Sequence, residues 1–188
     1  IRKLSKKQLR DGIGFVPQKA VLFSGTIASN LRFGRPDAGE DELREAAEIA
    51  QAAEFIEGKE ERYESRIAQG GSNVSGGQKQ RLAIARAVAK KPKLFVFDDS
   101  FSALDMKTDA KLRAALESRV ADSTVIIVAQ RISTILHADQ ILVLDDGKIA
   151  GKGTHEQLLR ECEVYQQIAY SQLSEQELAQ TAGKEAFA

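Results

Sequence analysis

Cysteine occurs once in this 188-residue sequence, at Cys162. That excludes an internal disulfide framework and any cysteine-rich metal site, and it suits a reducing compartment, the cytoplasm by default. An excess of either charge is also missing, since 27 Lys and Arg stand against 27 Asp and Glu. With no net field and no Lys/Arg cluster long enough to track phosphates, nucleic acid is excluded as the expected partner. Long apolar runs are missing too. The longest are stretches such as Thr124–Ala129, far below the roughly 18 residues that a membrane-spanning helix requires. The sequence opens at Ile1 with neither an initiator Met nor a targeting segment, which leads us to expect a piece of a longer chain. What is there is 43% apolar residues, enough for one compact domain or two small lobes.

Ile13–Val16 is a short apolar run closed by Pro17, which reads as a strand with Gln18 just past its end. Thr26–Leu31 predicts a short helical turn, and Gly34, Pro36 and Gly39 then mark a subdomain boundary near Arg35. Over Asp41–Ala53, residues Leu43, Ala46, Ala47 and Ala50 fall at i, i+3, i+4 and i+7, the stripe of an amphipathic helix. Gly70, Gly71, Gly76 and Gly77 then crowd ahead of a second helix, Gln78–Lys90. Leu94–Phe97 is continuously apolar and ends in Asp98 and Asp99, the pattern of a strand buried in a parallel sheet. A helix over Asp105–Val120 followed by a strand over Thr124–Val128 makes a β-α-β unit, and hence a parallel pair, the simplest reading. Gln140–Leu144 and Lys148–Gly151 flank Asp146-Gly147, a dipeptide suited to a hairpin turn. Thr154 and Gln157 have capping-box spacing, and Leu158, Leu159, Val164 and Ile168 follow on interrupted helices; beyond Ser174 the composition turns polar. His137 and His155 are read as surface residues with no metal role.

Two segments can carry chemistry. In Asn73-Val74-Ser75-Gly76-Gly77-Gln78, Ser75 and Gln78 stand at capping-box spacing and open a helix. The two glycines leave backbone N–H groups unscreened, and the helix dipole adds partial positive charge, so the Ser75 hydroxyl and nearby amides can hold a phosphate oxygen. A flexible Gly/Ser connection is the competing reading. The second segment is Asp98-Asp99 at a strand's carboxyl end, where open α/β sheets place their ligands and where Mg²⁺ takes one or two carboxylates with phosphate oxygens. Its competing reading is a capped turn in which Asp99 or Ser100 satisfies backbone donors. Gln130, just after the strand over Thr124–Val128, also sits at a strand end and is by itself an ordinary surface residue.

Taken in order, these pieces resemble the nucleotide-binding domain of exporter-type ATP-binding cassette transporters. Gly14-Phe15-Val16-Pro17-Gln18 resembles the Q-loop, Val74-Ser75-Gly76-Gly77-Gln78 the family signature, Leu94–Asp98 the Walker B strand, and Ser102-Ala103-Leu104-Asp105 the D-loop. Thr26–Leu31 is similar to the exporter segment after the Q-loop, and Asp146 through His155 to the family's final hairpin and helix. The resemblance implies an α/β fold with a P-loop NTPase-like (RecA-like) parallel sheet core, an inserted helical subdomain bearing the signature, and a missing N-terminal part. The core would comprise residues 1–35 and 92–174, the helical subdomain residues 36–91, and a polar tail residues 175–188. It implies ATP and Mg²⁺ as cofactors. Partners would be a second nucleotide-binding domain and the transmembrane domains of the same transporter, and the location the cytoplasmic face of the cell membrane. Asp98 and Gln18 would serve the metal, Ser75, Gly76, Gly77, Gln78 and Asp105 the nucleotide, and Asp99, Gln130 and Gln18 the hydrolytic step.

Three departures qualify the resemblance. No G-x-x-x-x-G-K-[ST] phosphate loop occurs anywhere in the sequence, which we read as truncation between that loop and the Q-loop. Asp99 stands where the family places a glutamate, withdrawing the carboxylate by about 1.5 Å, and misplacement on that scale costs on the order of a hundredfold in rate. Gln130 stands where the family has a histidine; glutamine hydrogen-bonds but carries no charge. Together they imply the degenerate-site half of a heterodimeric exporter. A non-hydrolysing regulatory module of the same fold is the alternative. A DNA-repair or chromosome-maintenance ATPase would need long coiled-coil arms between Gln18 and Ser75, and no heptad repeat is present there.

Overall fold

A computed structural model describes residues 3–119, 122–174 and 178. The tail expected over 175–188 lies, except for Leu178, outside the described residues, as does Val120 at the expected end of a helix. The chain forms two compact units, residues 1–128 and 129–188.

The first unit is built on three parallel strands in the order β1-β4-β5, with β1 Ile13–Val16, β4 Leu94–Asp98 and β5 Thr124–Val128. Register places Phe15 beside Val96 and Val96 beside Ile126 on one face, and Val16 beside Phe97 and Phe97 beside Ile127 on the other. The second face is the packed one. Val16, Phe95 and Phe97 are buried against Leu82 and Ile84 of α5 (Gly76–Ala89) and Leu112 and Leu116 of α6 (Met106–Arg119), each contributing roughly 1.5–3 kcal/mol. The Phe15 face is bare, with Phe15 55% and Ile126 47% exposed. A parallel sheet ordinarily has both faces covered, so β4 is only half as enclosed as its apolar run predicts.

Four further α-helices and a small ladder belong to this unit. Ser5 caps α1 (Lys6–Asp11), a helix that no apolar stripe announces. Antiparallel β2 (Gly25–Thr26) and β3 (Arg66–Ile67) pin the start of α2 (Ile27–Leu31), which Thr26 caps. Leu43, Ala46 and Ala47 bury one side of α3 (Glu40–Ile49) against α5. The helix expected to run to Ala53 stops at Ile49 because Gln51 turns left-handed, at φ 55°; α4 (Ala53–Glu57) then restarts in a new direction. Near the start of α3, Glu42 accepts from the Gly39 N–H and pairs with Arg35 and Lys91, which hold its carboxyl down to about 2.

The second unit pairs β6 (Ile141–Asp145) with β7 (Lys148–Gly153) as an antiparallel hairpin, bulged between Val143 and Leu144. Asp146 and Gly147 have φ of 46° and 73°, the double left-handed turn that matches strand twist. Thr154 caps α7 (His155–Glu161), and α8 (Glu163–Gln172) follows. Leu158, Leu159, Cys162, Tyr165 and Ala169 from these helices close over Ile141 and Val143. His137 is exposed, but His155 corrects its surface reading: it is 4% exposed, with Nδ1 2.7 Å from the Tyr165 hydroxyl. Its partner comes from the next helix, beyond the reach of local pattern.

Candidate functional site

The carboxyl edge of the parallel sheet gathers the first group of side chains. Pro17 has no N–H for a ladder and ends β1, which leaves Gln18 at the strand tip. Beyond β4, Asp99 is left-handed at φ 44°, a conformation that aspartate tolerates better than bulkier residues. Its N–H donates to the Val128 carbonyl at 2.8 Å, and the Ser100 hydroxyl donates to the Val16 carbonyl at 2.8 Å. Those two bonds tie three strand ends together and set the acids at the lip. Gln18 Nε2 donates to Asp99 Oδ2 at 3.0 Å, so two residues 81 positions apart meet.

That hydrogen bond fixes the Gln18 amide. With Nε2 on Asp99, Oε1 is the end free to serve as a neutral oxygen ligand. Strand alternation puts Asp98 on the Val96 face, the uncovered one. A carboxylate and an amide oxygen suit Mg²⁺, which keeps waters and takes phosphate oxygens beside one or two protein ligands. Among the described residues no group of three or more His, Cys, Asp or Glu converges on a metal position, so the protein supplies only part of such a shell.

The second group opens α5. The Ser75 hydroxyl accepts from the Gln78 N–H at 3.2 Å while Gln78 Oε1 accepts from the Ser75 N–H at 3.0 Å. This is the capping box expected from the spacing, and it starts the helix at Gly76 rather than Gln78. Ser75 and Gly76 are exposed, and a Cβ at Gly76 would meet nothing within 4 Å. Helix geometry leaves the Gly76 and Gly77 amides without intrahelical partners, so they and the positive helix end are presented to solvent. Asn73 braces the preceding loop, donating to the Arg66 carbonyl at 2.8 Å and accepting from the Ala68 N–H at 3.0 Å.

Asp105 has a defined local job. It accepts from the Thr108 N–H at 3.0 Å and the Thr108 hydroxyl at 2.7 Å, capping α6, and those bonds hold its carboxyl below the usual aspartate range. The loop before it passes the Ser75 turn, where a Cβ on Gly77 would stand 3.7 Å from the Ala103 carbonyl. Gln130 belongs to the second unit, where its exposed backbone carbonyl accepts from Gln172 Nε2 at 2.8 Å.

Sequence reasoning missed two polar anchors on α5, one to the sheet edge and one to the α3–α4 turn. Gln80, buried on α5, donates to the Pro17 carbonyl at 3.3 Å. Arg81 donates to the Gln51 carbonyl at 2.7 Å and lies 4.9 Å from the Phe55 ring centre. Burial pushes its guanidinium pKa down, with Asp105 and Glu54 opposing. The available signal was polar residues interrupting the buried sides of a mostly apolar helix.

The ABC transporter family model matches residues 1–102. An uncharacterized ABC transporter ATP-binding protein of Mycobacterium tuberculosis is 51% identical over 175 residues, covering 92% of this chain and 30% of that protein. The beta-(1→2)glucan export ATP-binding/permease protein NdvA of Rhodopseudomonas palustris is 44% identical over 182 residues, covering 97% and 30%. Among solved structures, a bacterial Atm1-family ABC exporter with ATP bound superposes with a TM-score of 0.88 at 38% identity, over 93% of this chain and 31% of that one. The fold is therefore that of a P-loop NTPase. The chain spans about 30% of the length of the curated relatives it matches, and no helix among its described residues is long and apolar enough to cross a membrane.

Proposed function

Since the chain belongs to the ABC transporter family, we propose that it is part of the ATP-driven motor of an exporter. In this reading it works against a second nucleotide-binding domain at the cytoplasmic face of the membrane. Residues 1–35 and 92–174 act as the core and residues 36–91 as the signature-bearing helical subdomain. The observation that carries the reading is the pairing of Gln18 with Asp99 at the sheet edge, alongside an exposed Ser75 turn aimed at solvent. The first is half of a nucleotide site, and the second is a donor set that only a ligand carried by another subunit can use. The bare Phe15–Val96–Ile126 face, which also bears Asp98, supports a phosphate loop packing there from elsewhere in the full protein.

Each residue then has a role. Ser75 and the Gly76 and Gly77 amides clamp the γ-phosphate on the partner, with donors already oriented before charge develops. Gln78 keeps Ser75 in place through the capping box. In the chain's own site, Asp98 and Gln18 Oε1 would hold Mg²⁺, which would supply neutralisation of phosphate charge. Asp99 orients the attacking water from too short a reach, and Gln130 contributes a hydrogen bond without charge. Its own site turns over slowly and ATP there mainly holds the dimer, while the partner's site does the hydrolysis; the loop to Asp105 passes state between them. The surface around Gln18–Phe23 receives helices of the membrane domains.

The two weakened positions favour one second reading, a non-hydrolysing regulatory module. The deciding experiment restores both residues, Asp99→Glu with Gln130→His, in the full-length protein assembled with its partner. The motor reading expects turnover at the chain's own site, read with the partner's site inactivated, to rise by up to about a hundredfold with Mg-ATP binding unchanged. Mg-ATP binding with turnover unmoved supports the regulatory module. Binding by neither form overturns the nucleotide site itself.

A further inference from the structure

At the end of the sheet away from Asp98, the first unit holds a hollow that the nucleotide reading does not use. Helix α5 ends at Ala89, Lys91 turns left-handed at φ 49°, and Pro92 cannot continue a helix. The chain therefore swings into β4 and leaves space between the flank of α3 and the end of α6. The cavity has a volume of about 280 Å³, close to twice the roughly 150 Å³ of a cavity that binds benzene. Its floor is apolar, made by Ala46 and Ile49 of α3, Val88 and Ala89 of α5, and Phe95 of β4. Phe95 stands about 10 Å up the strand from Asp98, so the hollow is separate from the nucleotide edge. Water over an apolar floor finds few hydrogen-bond partners, and an apolar body displaces it favourably.

Charged groups ring the mouth. Lys91 Nζ lies 2.7 Å from Glu42 Oε1, Glu42 also pairs with Arg35, and Arg119 Nη1 lies 3.1 Å from Glu45 Oε1. Each cation of the lining therefore already faces a carboxylate. Asp122 is exposed at the mouth and has no ion pair among the described residues. Its neighbour Ser123 donates to the Pro92 carbonyl at 2.8 Å, which holds that segment against the turn. A ligand anion would have to compete with the carboxylates in place, whereas a ligand cation has Asp122 to itself.

We propose that this cavity is a binding site for a small arylalkylammonium, with the ring on the floor of Ala46 and Ala89 and the cation at Asp122. The volume suits one ring with a short aliphatic arm, and the charge pattern of the mouth selects the sign. Such a molecule touches α3 on one wall and β4 and the end of α6 on the other, so it fastens these elements together beside the Lys91–Glu42 and Arg119–Glu45 pairs. The site stands apart from the proposed nucleotide chemistry and does not depend on it.

The test uses the full-length protein assembled with its partner in phosphatidylcholine vesicles, the photolabel 4-azidophenethylamine, and mass spectrometry of the labelled peptides. Label is expected on peptides from α3 and from residues 88–95. Phenethylamine is expected to compete for it, while phenylacetate, the same ring on an anionic arm, does not. Ala46→Leu puts a larger side chain into the hollow and is expected to cut labelling there by about tenfold or more. Asp122→Asn removes the anion at an exposed mouth and is expected to raise the half-competing concentration of phenethylamine by about twofold to fivefold. Should Ala46→Leu fold poorly, Asp122→Asn carries the test. No label on these peptides, or label that Ala46→Leu leaves unchanged, overturns the site. Competition by phenylacetate as strong as by phenethylamine, or an Asp122→Asn form that behaves as the parent does, overturns the ammonium assignment.

Discussion

Removing the Asn30 amide tests how far one buried side chain fixes the loop between Gln18 and α2. Asn30 is 2% exposed. Its Nδ2 donates to the Phe23 carbonyl at 2.8 Å and the Thr26 carbonyl at 3.0 Å, and its Oδ1 accepts from the Phe23 N–H at 2.9 Å and from Arg86 at 2.7 Å. Asn30→Ala leaves all four partners with one bond fewer. A neutral hydrogen bond contributes about 1 kcal/mol net and one to a charged group about 1.5–3 kcal/mol. Water entering the space left by the amide returns part of that sum, so the expected loss is about 3–4 kcal/mol, or a melting temperature lower by roughly 10 °C. Urea unfolding followed by far-UV circular dichroism reads it as a lower midpoint at constant slope. A loss below about 1 kcal/mol would refute the reasoning, because it would mean that the four bonds are replaced by solvent at no cost.

Two further predictions use the same assay. Gly14→Ala puts a methyl 2.7 Å from Pro92 Cγ and 3.3 Å from the Ala87 carbonyl, an overpacking expected to cost about 1–3 kcal/mol; an unchanged midpoint would contradict the close approach of β1 to α5. The second unit is expected to lose stability on acidification through His155. Burial pushes its imidazole below the ordinary 6.5, and nearby Glu156 opposes this while His137 adds to it. The unfolded chain therefore takes the proton first, so stability is full above about pH 6.5, falls as pH drops below it, and levels off under the lowered folded value. Replacing His155 by Gln should flatten that slope, and a slope that survives the replacement assigns it to other groups.

Much of the site was written locally. The Ser75–Gln78 capping box, the hairpin at Asp146-Gly147 and the strand ending in Asp98 each depend on residues within a few positions, where dihedral preference and hydrogen-bond reach act directly. The parallel order of β1, β4 and β5 was legible as far as the β-α-β rule carries it. The early end of α3 was not, because the apolar stripe continues past the point where Gln51 turns left-handed.

The sequence by itself determined the main strands and helices, the capping box at Ser75 and the family resemblance, since each is a matter of short-range pattern, but not α1, the β2–β3 ladder or the restart at α4. Only the tertiary structure decided which distant groups meet: Gln18 on Asp99, Gln80 on the Pro17 carbonyl, Arg86 on Asn30, His155 on Tyr165. Buried polar groups must find partners wherever packing brings them, and a one-dimensional pattern does not contain that pairing.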